Sequence, residues 1–203
     1  MNIPNRQQAE AYLQESSKLN PGPWVDHSIQ VARTAEAIAA LHPGLDPEPA
    51  HVLGLLHDIG RREGVYGMRH ILDGYDYLIQ EGFPDPARIC LTHSYPIPNV
   101  MAGSSEWDAT QDQAQFVADF LISNPYTPYD KLIQLCDSLC LPTGPVLMEK
   151  RFVDVTLRYG FNDYTLEKWQ AFFQIQEEFE AAIHQSIYAI LPGVVENTFG
   201  RKT

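Results

Sequence analysis

The chain has 203 residues, 44% of them hydrophobic and 20% charged, which is the composition of a globular protein with one sizeable core. Its formal net charge is −12 and its 14 Lys and Arg residues form no stripe, so a surface for duplex nucleic acid is not expected. Because no apolar run is long enough to cross a membrane and the N-terminus lacks a secretory signal pattern, we expect a cytoplasmic protein without membrane contact.

Helical periodicity recurs along the chain, whereas no convincing run of alternating β-branched residues predicts a strand. Asp46-Pro47 and Asp85-Pro86 each match an N-cap residue followed by a proline in the first helical turn, and Gly60 is typical of a helix end. The sequence therefore predicts an all-α fold, a single-domain helical bundle. Its predicted helices lie at about 5–18, 24–41, 47–58, 68–81, 86–93, 111–122, 128–140, 145–159 and 165–191.

Two segments have features of their own. Residues 95–109 read as a long loop, and such a loop in a compact domain is often functional. Its aromatic residues Tyr95 and Trp107 could stack on a nucleobase, or could simply pack within the loop. The last predicted helix, 165–191, carries a wide apolar stripe that could cover the core or join a second copy of the chain in a homodimer.

Residues of metal-binding type occur about once per predicted helix, near helix ends. The apolar run 52–56 leads directly into His57 and Asp58, and a buried charge is costly unless it is paired or bound to a metal. Imidazole and carboxylate ligands together suit Zn, Fe, Mn and similar ions, and they leave coordination positions open for water and substrate. The candidate metal ligands are His27, His57, Asp58, His70, His93 and Asp137.

Their order along the chain is specific. His27 comes first, His57 and Asp58 follow within Leu-Leu-His-Asp-Ile-Gly-Arg, and Asp137 ends the string Leu-Ile-Gln-Leu-Cys-Asp. This order resembles the HD-domain superfamily of metal-dependent phosphohydrolases. The resemblance implies a bundle of helices with the active site among them, and one metal ion held by these four residues.

The resemblance covers only part of the chain, about residues 24–140. We therefore predict one helical domain over 1–203, with a metal-binding core at about 24–140. The helices at about 145–191 form a C-terminal extension to which the resemblance assigns no role.

Two further histidines extend the resemblance. His70 and His93 fall where dinuclear members, among them bacterial diadenosine-tetraphosphate hydrolases, carry additional ligands. We therefore predict one or two divalent ions (Fe, Mn, Zn, Mg or similar), with Asp58 bridging the two. The alternative for His70 and His93 is a structural role. His42 and His51 are predicted to be surface residues.

Basic residues near the doublet are candidates for substrate binding. In the resembling enzymes a basic residue just after the doublet can face the substrate phosphate, which Arg contacts with two hydrogen bonds. We therefore predict catalytic roles for Asp58 and Arg61, and substrate contacts for Arg61, Arg62, Arg69 and Lys131. The alternative for each cation is a solvated surface charge.

The predicted activity is hydrolysis of a phosphate ester or anhydride. A bound ion lowers the pKa of water and polarises a phosphoryl oxygen, while an Arg stabilises the transferring group. The substrate is a small phosphorylated compound, and its being a nucleotide rests on the resemblance alone. A dinuclear-iron oxygenase on the same scaffold is an alternative, although Ser-Tyr-Pro-Ile-Pro follows His93 where the oxygenases carry a Lys-rich string. A non-catalytic metal- or nucleotide-binding module is a third hypothesis, and it predicts the loss of a ligand.

Overall fold

Helices build the fold, so the predicted all-α class is confirmed. The computed structural model describes residues 1–200. None of the described helices combines the length and apolarity needed to span a membrane. A β-hairpin of two short antiparallel strands, β1 (Cys140–Leu141) and β2 (Gly144–Pro145), follows the helix that ends at Leu139. The α-helices are α1 (Arg6–Leu19), α2 (Pro23–Ala39), α3 (Pro47–Leu56), α4 (His70–Gln80), α5 (Pro84–Thr92), α6 (Gln111–Ser123), α7 (Pro128–Leu139), α8 (Met148–Tyr159), α9 (Thr165–Ile183), α10 (Ile187–Ile190) and α11 (Val194–Phe199).

Local capping sets where several helices begin. The Asp46 side chain accepts a hydrogen bond from the backbone N–H of Glu48 at 3.0 Å, and Pro47 starts α3, as predicted. The same prediction for Asp85 was wrong. Helix α5 begins two residues earlier than predicted, at Pro84, because the fixed φ of proline suits the first helical position, and Asp85 then lies inside the first turn.

The main core lies where α2, α3 and α7 pack together, and α9 covers it. The apolar stripe of α9 therefore has a partner within the chain. The division into a metal-binding core and a C-terminal extension at about residue 140 stays a prediction. Helices on both sides of that position contribute to the main core. Buried side chains of the shared core include Ile38, Leu53, Leu132, Leu135, Phe172, Phe179 and Ile183.

The last predicted helix is shorter than expected. The pattern over 165–191 predicted one helix, but α9 ends at Ile183, and His184 has a left-handed backbone with φ of 57°. The Glu180 carboxylate then accepts a hydrogen bond from the backbone N–H of Ile187 at 2.8 Å. This contact begins a separate short helix, so the chain turns where apolar periodicity alone suggested continuity.

Gly60 does not end a helix as the sequence suggested. Helix α3 ends at Leu56, and Gly60 lies in the 3₁₀ segment Ile59–Glu63 that follows. A Cβ atom at this position would overlap the backbone of His70 and Gly74. The missing side chain therefore lets the 3₁₀ segment touch α4, which brings the end of α3 close to His70.

Candidate metal centre

All the predicted metal ligands meet in one cluster. Five of the six are buried, and the side chain of Asp137 is 22% exposed. They arrive from five places in the chain, so the cluster forms only when the helices have packed. Their positions are His27 in α2, His57 and Asp58 directly after α3, His70 at the start of α4, His93 directly after α5, and Asp137 in α7.

Three imidazole rings are oriented in the same way. The Nδ1 atoms of His57, His70 and His93 lie 2.7, 2.6 and 3.0 Å from a backbone carbonyl oxygen three residues earlier in the chain. Because a carbonyl oxygen can only accept, each Nδ1 carries the proton. The Nε2 atoms therefore carry the lone pairs, which is the arrangement that metal-binding histidines usually show. The Nε2 atom of His70 lies 3.5 Å from the Arg61 guanidinium.

The Asp58 carboxylate lies at the middle of the cluster. Its oxygens are 3.2 Å from His70 Nε2, 3.6 Å from His93 Nε2 and 3.8 Å from His57 Nε2. Among the described residues, neither Asp58 Oδ1 nor His57 Nε2 has a hydrogen-bond partner, although both atoms are buried. Orphaned buried polar atoms are rare and cost about 1–3 kcal/mol each. A cation that coordinates both atoms would remove that cost, so these residues fit a metal ion.

Asp137 closes the opposite side of the cluster. Its Oδ1 lies 2.9 Å from His27 Nε2 and 3.5 Å from the Arg151 guanidinium. The cluster offers overlapping groups of ligand atoms that lie within 4.8 Å of one another. These groups are His27, His57 and Asp58; His57, His93 and Asp137; and Asp58, His70 and His93.

The protonation states of His57 and of the two carboxylates suit metal binding. Burial lowers the pKa of His57 to about 3, so its imidazole is neutral near pH 7. Burial alone would raise the pKa of Asp58, but the Arg61 charge together with the neighbouring histidines lowers it well below its ordinary value. Burial likewise opposes ionisation of Asp137, and the hydrogen bond to His27 together with the nearby charges of His27 and Arg151 lowers its pKa. Both carboxylates are therefore anionic, as ligands must be.

A cavity of about 470 Å³ opens onto the cluster. Its volume is typical of sites for small molecules. Arg61 lines it, with Nε 2.8 Å from Asp58 Oδ2, and the guanidinium groups of Arg151 and Arg158 lie on its wall. Each arginine pairs with a carboxylate that also lines the cavity, Arg61 with Asp58, and Arg151 and Arg158 with Asp154. A bound metal ion would add the positive charge that favours an anionic ligand here.

The other cations predicted to bind substrate lie elsewhere. The guanidinium of Arg62 stacks 3.9 Å from the centre of the Tyr77 ring, and Arg69 pairs with Asp73 at 3.3 Å. Lys131 forms an ion pair of 2.6 Å with a glutamate on α9. Because these three side chains are engaged outside the cavity, the structure does not bring them to the predicted substrate.

Several further expectations need correction. His51, predicted at the surface, is buried, and its Nδ1 lies 2.8 Å from a Glu36 carboxylate oxygen that offsets the cost of burial. His42, also predicted at the surface, is half-buried. Tyr95 is fully buried in the core and Trp107 packs against the same cluster of apolar residues. Neither aromatic ring lines the cavity, so neither is placed to stack on a base there.

The C-terminal helices supply site residues that sequence reasoning missed. Arg151 in α8 contacts Asp137, and Lys168 in α9 is buried beside the cavity. Lys168 could have been recognised from the sequence as a candidate site residue, because it falls at helical spacing with Phe172, Ile175 and Phe179 on the apolar stripe. A charged residue on such a stripe is unusual and needs a polar partner.

Comparisons with known proteins bear on the same region. The family model for the HD domain matches residues 24–141. Among solved structures, the chain is similar to the crystal structure of the L. monocytogenes phosphodiesterase PgpH HD domain. The identity is 18%, the match covers 83% of this chain and 98% of that chain, and the TM-score is 0.43. A search of curated proteins found no match.

Proposed function

The chain belongs to the HD-domain family, and from this premise we propose that it is a metal-dependent phosphohydrolase acting on a phosphate ester or anhydride. The observation that carries the proposal is the buried cluster of imidazole and carboxylate groups, whose ligand atoms form overlapping groups within 4.8 Å, beside a cavity lined by Arg61, Arg151 and Arg158. A cluster with this donor set suits a divalent metal ion, and the cavity wall suits a phosphate.

The residues divide into two overlapping sets that would hold metal. Following the ligand order of the family, we infer one ion held by His27, His57, Asp58 and Asp137, and a second held by Asp58, His70 and His93. The ligand atoms of His27, His57 and Asp58, and those of Asp58, His70 and His93, lie within 4.8 Å of one another. Bound ions of this kind supply a Lewis acid for a phosphoryl oxygen and make a water molecule acidic near neutral pH. Imidazole and carboxylate donors favour Fe, Mn or Zn.

The chain's own side chains would orient the substrate. Arg61 projects into the cavity from the 3₁₀ segment and can donate two hydrogen bonds to phosphoryl oxygens. Arg151 supports Asp137 through its side chain, and it also donates to the Asp137 carbonyl oxygen at 3.4 Å. A nucleotide is the substrate class that we infer. Its support is the cavity volume and the aromatic residues Trp24 and Tyr159 on the cavity wall.

Turnover tests this proposal. Protein purified without chelator should hydrolyse members of a panel of phosphate esters, nucleotides and dinucleoside polyphosphates. Dialysis against chelator should abolish that activity, and adding back Mn²⁺, Fe²⁺ or Zn²⁺ should restore it. Metal-loaded protein that hydrolyses nothing on the panel would contradict the proposal. Oxygen consumption by iron-loaded protein would instead favour the oxygenase hypothesis.

His93→Ala tests whether two ions bind. His93 lies on its own helix end, and its Nε2 points towards Asp58 on the side of His70. We expect the variant to lose close to one ion per chain in elemental analysis while the other ion stays bound. His42→Ala is the control, because His42 is half-buried outside the cluster. A His93→Ala protein with wild-type metal content would exclude His93 as a ligand.

A further inference from the structure

A smaller side pocket of about 80 Å³ adjoins the cavity. The two share wall residues, among them Ser104, Asp137 and Arg151, so the side pocket begins beside the candidate metal centre. A pocket needs about 10–15 Å³ of accessible space to hold one water molecule, so this pocket has room for a small polyatomic group. It lies between the loop 95–109 and the helices α8 and α9.

Lys168 is the notable residue of this pocket. Its side chain projects from the apolar stripe of α9 and is 6% exposed. Its Nζ donates one hydrogen bond, to Ser104 Oγ at 2.6 Å. Among the described residues, no carboxylate forms an ion pair with it, although an ammonium group has three protons to donate. A buried cation with a single neutral partner is costly.

The charges around Lys168 leave that ammonium uncompensated. Asp137 is the carboxylate on the pocket wall, but it already contacts His27 and Arg151. Burial lowers the pKa of Lys168 to about 8, so the side chain remains mostly protonated near pH 7. An anionic group in the pocket would supply the missing counter-charge.

The long loop shapes the rim of the pocket. Besides the Lys168–Ser104 hydrogen bond, the Asn162 amide donates to the Gly103 carbonyl oxygen at 2.8 Å. These two hydrogen bonds join the loop 95–109 to the residues at the start of α9. The helices of the C-terminal extension thus complete a pocket that the core at 24–141 does not form alone, with Lys168 among apolar residues such as Phe152 and Phe172.

We propose that the side pocket is an anion subsite, in which Lys168 binds a second phosphate or carboxylate group of the substrate. The proposal rests on the proposed function in one respect, namely that the first phosphoryl group lies at the metal centre. The substrate class is then a compound with two anionic groups a short distance apart, such as a phosphoanhydride, a bisphosphate or a phosphorylated acid.

Anion binding to the full-length chain tests the subsite without any turnover. The probes are inorganic phosphate and acetate, titrated calorimetrically into protein dialysed against chelator. Lys168→Met and Lys168→Gln should each weaken the binding of the preferred anion at least tenfold. Lys131→Met is the matched control, because that lysine is paired with Glu178 on the outer surface, and it should bind like wild type. Preference for phosphate or for acetate assigns the chemistry of the group.

Thermal unfolding separates a binding role from a structural one. Methionine has a similar length and no charge, so Lys168→Met without added anion should unfold at the same temperature as wild type or higher. Anion should raise the unfolding temperature of wild type more than that of the variant. Equal anion affinity in wild type and both Lys168 variants would overturn the subsite.

The kinetic test uses metal-loaded enzyme. Lys168→Gln should raise the KM for pyrophosphate at least tenfold and leave the KM for p-nitrophenyl phosphate, which has one anionic group, near the wild-type value. If no phosphate compound is hydrolysed at all, the proposed function fails, while the calorimetric comparison still decides the subsite. An equal rise in KM for both compounds would contradict a separate subsite.

Discussion

Asp58→Asn should lose its bound metal and its hydrolytic activity together. Asp58 is the residue common to both proposed ligand sets, and its buried Oδ1 has no hydrogen-bond partner among the described residues. An amide of the same shape lacks the negative charge that holds a cation. Removing a group that merely supports a ligand typically costs about 10–100-fold in metal affinity or activity, so removing the ligand itself should cost more than that.

Metal content and kcat should be measured on the same preparation of this variant, with circular dichroism to verify that it is folded. Asp73→Asn is the matched control, because that carboxylate lies in the next helix and pairs with Arg69 outside the cavity. It should keep both metal and activity. Full metal occupancy in purified Asp58→Asn would show that Asp58 is not a ligand.

Arg61→Ala should lower kcat/KM by about one to two decades and leave the metal bound. A hydrogen bond to a charged group contributes roughly 1.5–3 kcal/mol, and about 1.4 kcal/mol corresponds to a factor of ten. The Arg61 guanidinium lines the cavity and its Nε contacts Asp58, so it is placed to stabilise charge on a phosphoryl group beside the cluster. Arg61→Lys should recover part of the loss, because lysine keeps the charge without the planar two-pronged geometry.

The neighbouring arginine provides the control for this prediction. Arg62→Ala removes an equal charge one residue further on, but the Arg62 guanidinium stacks on the Tyr77 ring outside the cavity. Steady-state assays on the best substrate should therefore give a wild-type kcat/KM for Arg62→Ala. If Arg61→Ala also has the wild-type value, Arg61 does not contact the reacting phosphate.

The ligand cluster could be predicted from sequence because each member departs from its local pattern. His57 and Asp58 end a strongly apolar helix, and Asp137 follows the apolar residues of α7. Such positions face the core, where an unpaired charge is too costly to keep without a function. The helix start at Asp46 was likewise predicted from local sequence, whereas the same pattern at Asp85 misplaced the start of α5.

The surroundings of the cluster depend on packing that no local pattern determines. Arg61 and Arg62 are adjacent, and the path of the 3₁₀ segment decides that the first reaches the cavity while the second stacks on an aromatic ring. The contribution of α8 and α9 was also not predicted, since only tertiary packing brings Arg151 to Asp137 and Lys168 to the side pocket beside the cluster. Lys168 on an apolar stripe was the one visible signal.

The most direct test of the metal centre is elemental analysis of the wild-type chain, purified without chelator and quantified per folded chain. If both ligand sets bind metal, the analysis should find close to two ions per chain, with Fe, Mn or Zn as the predominant elements. The bound metal should fall in parallel with hydrolytic activity during dialysis against chelator. A folded chain that hydrolyses phosphate esters and contains no stoichiometric metal would contradict the assignment of His27, His57, Asp58, His70, His93 and Asp137 as a metal centre.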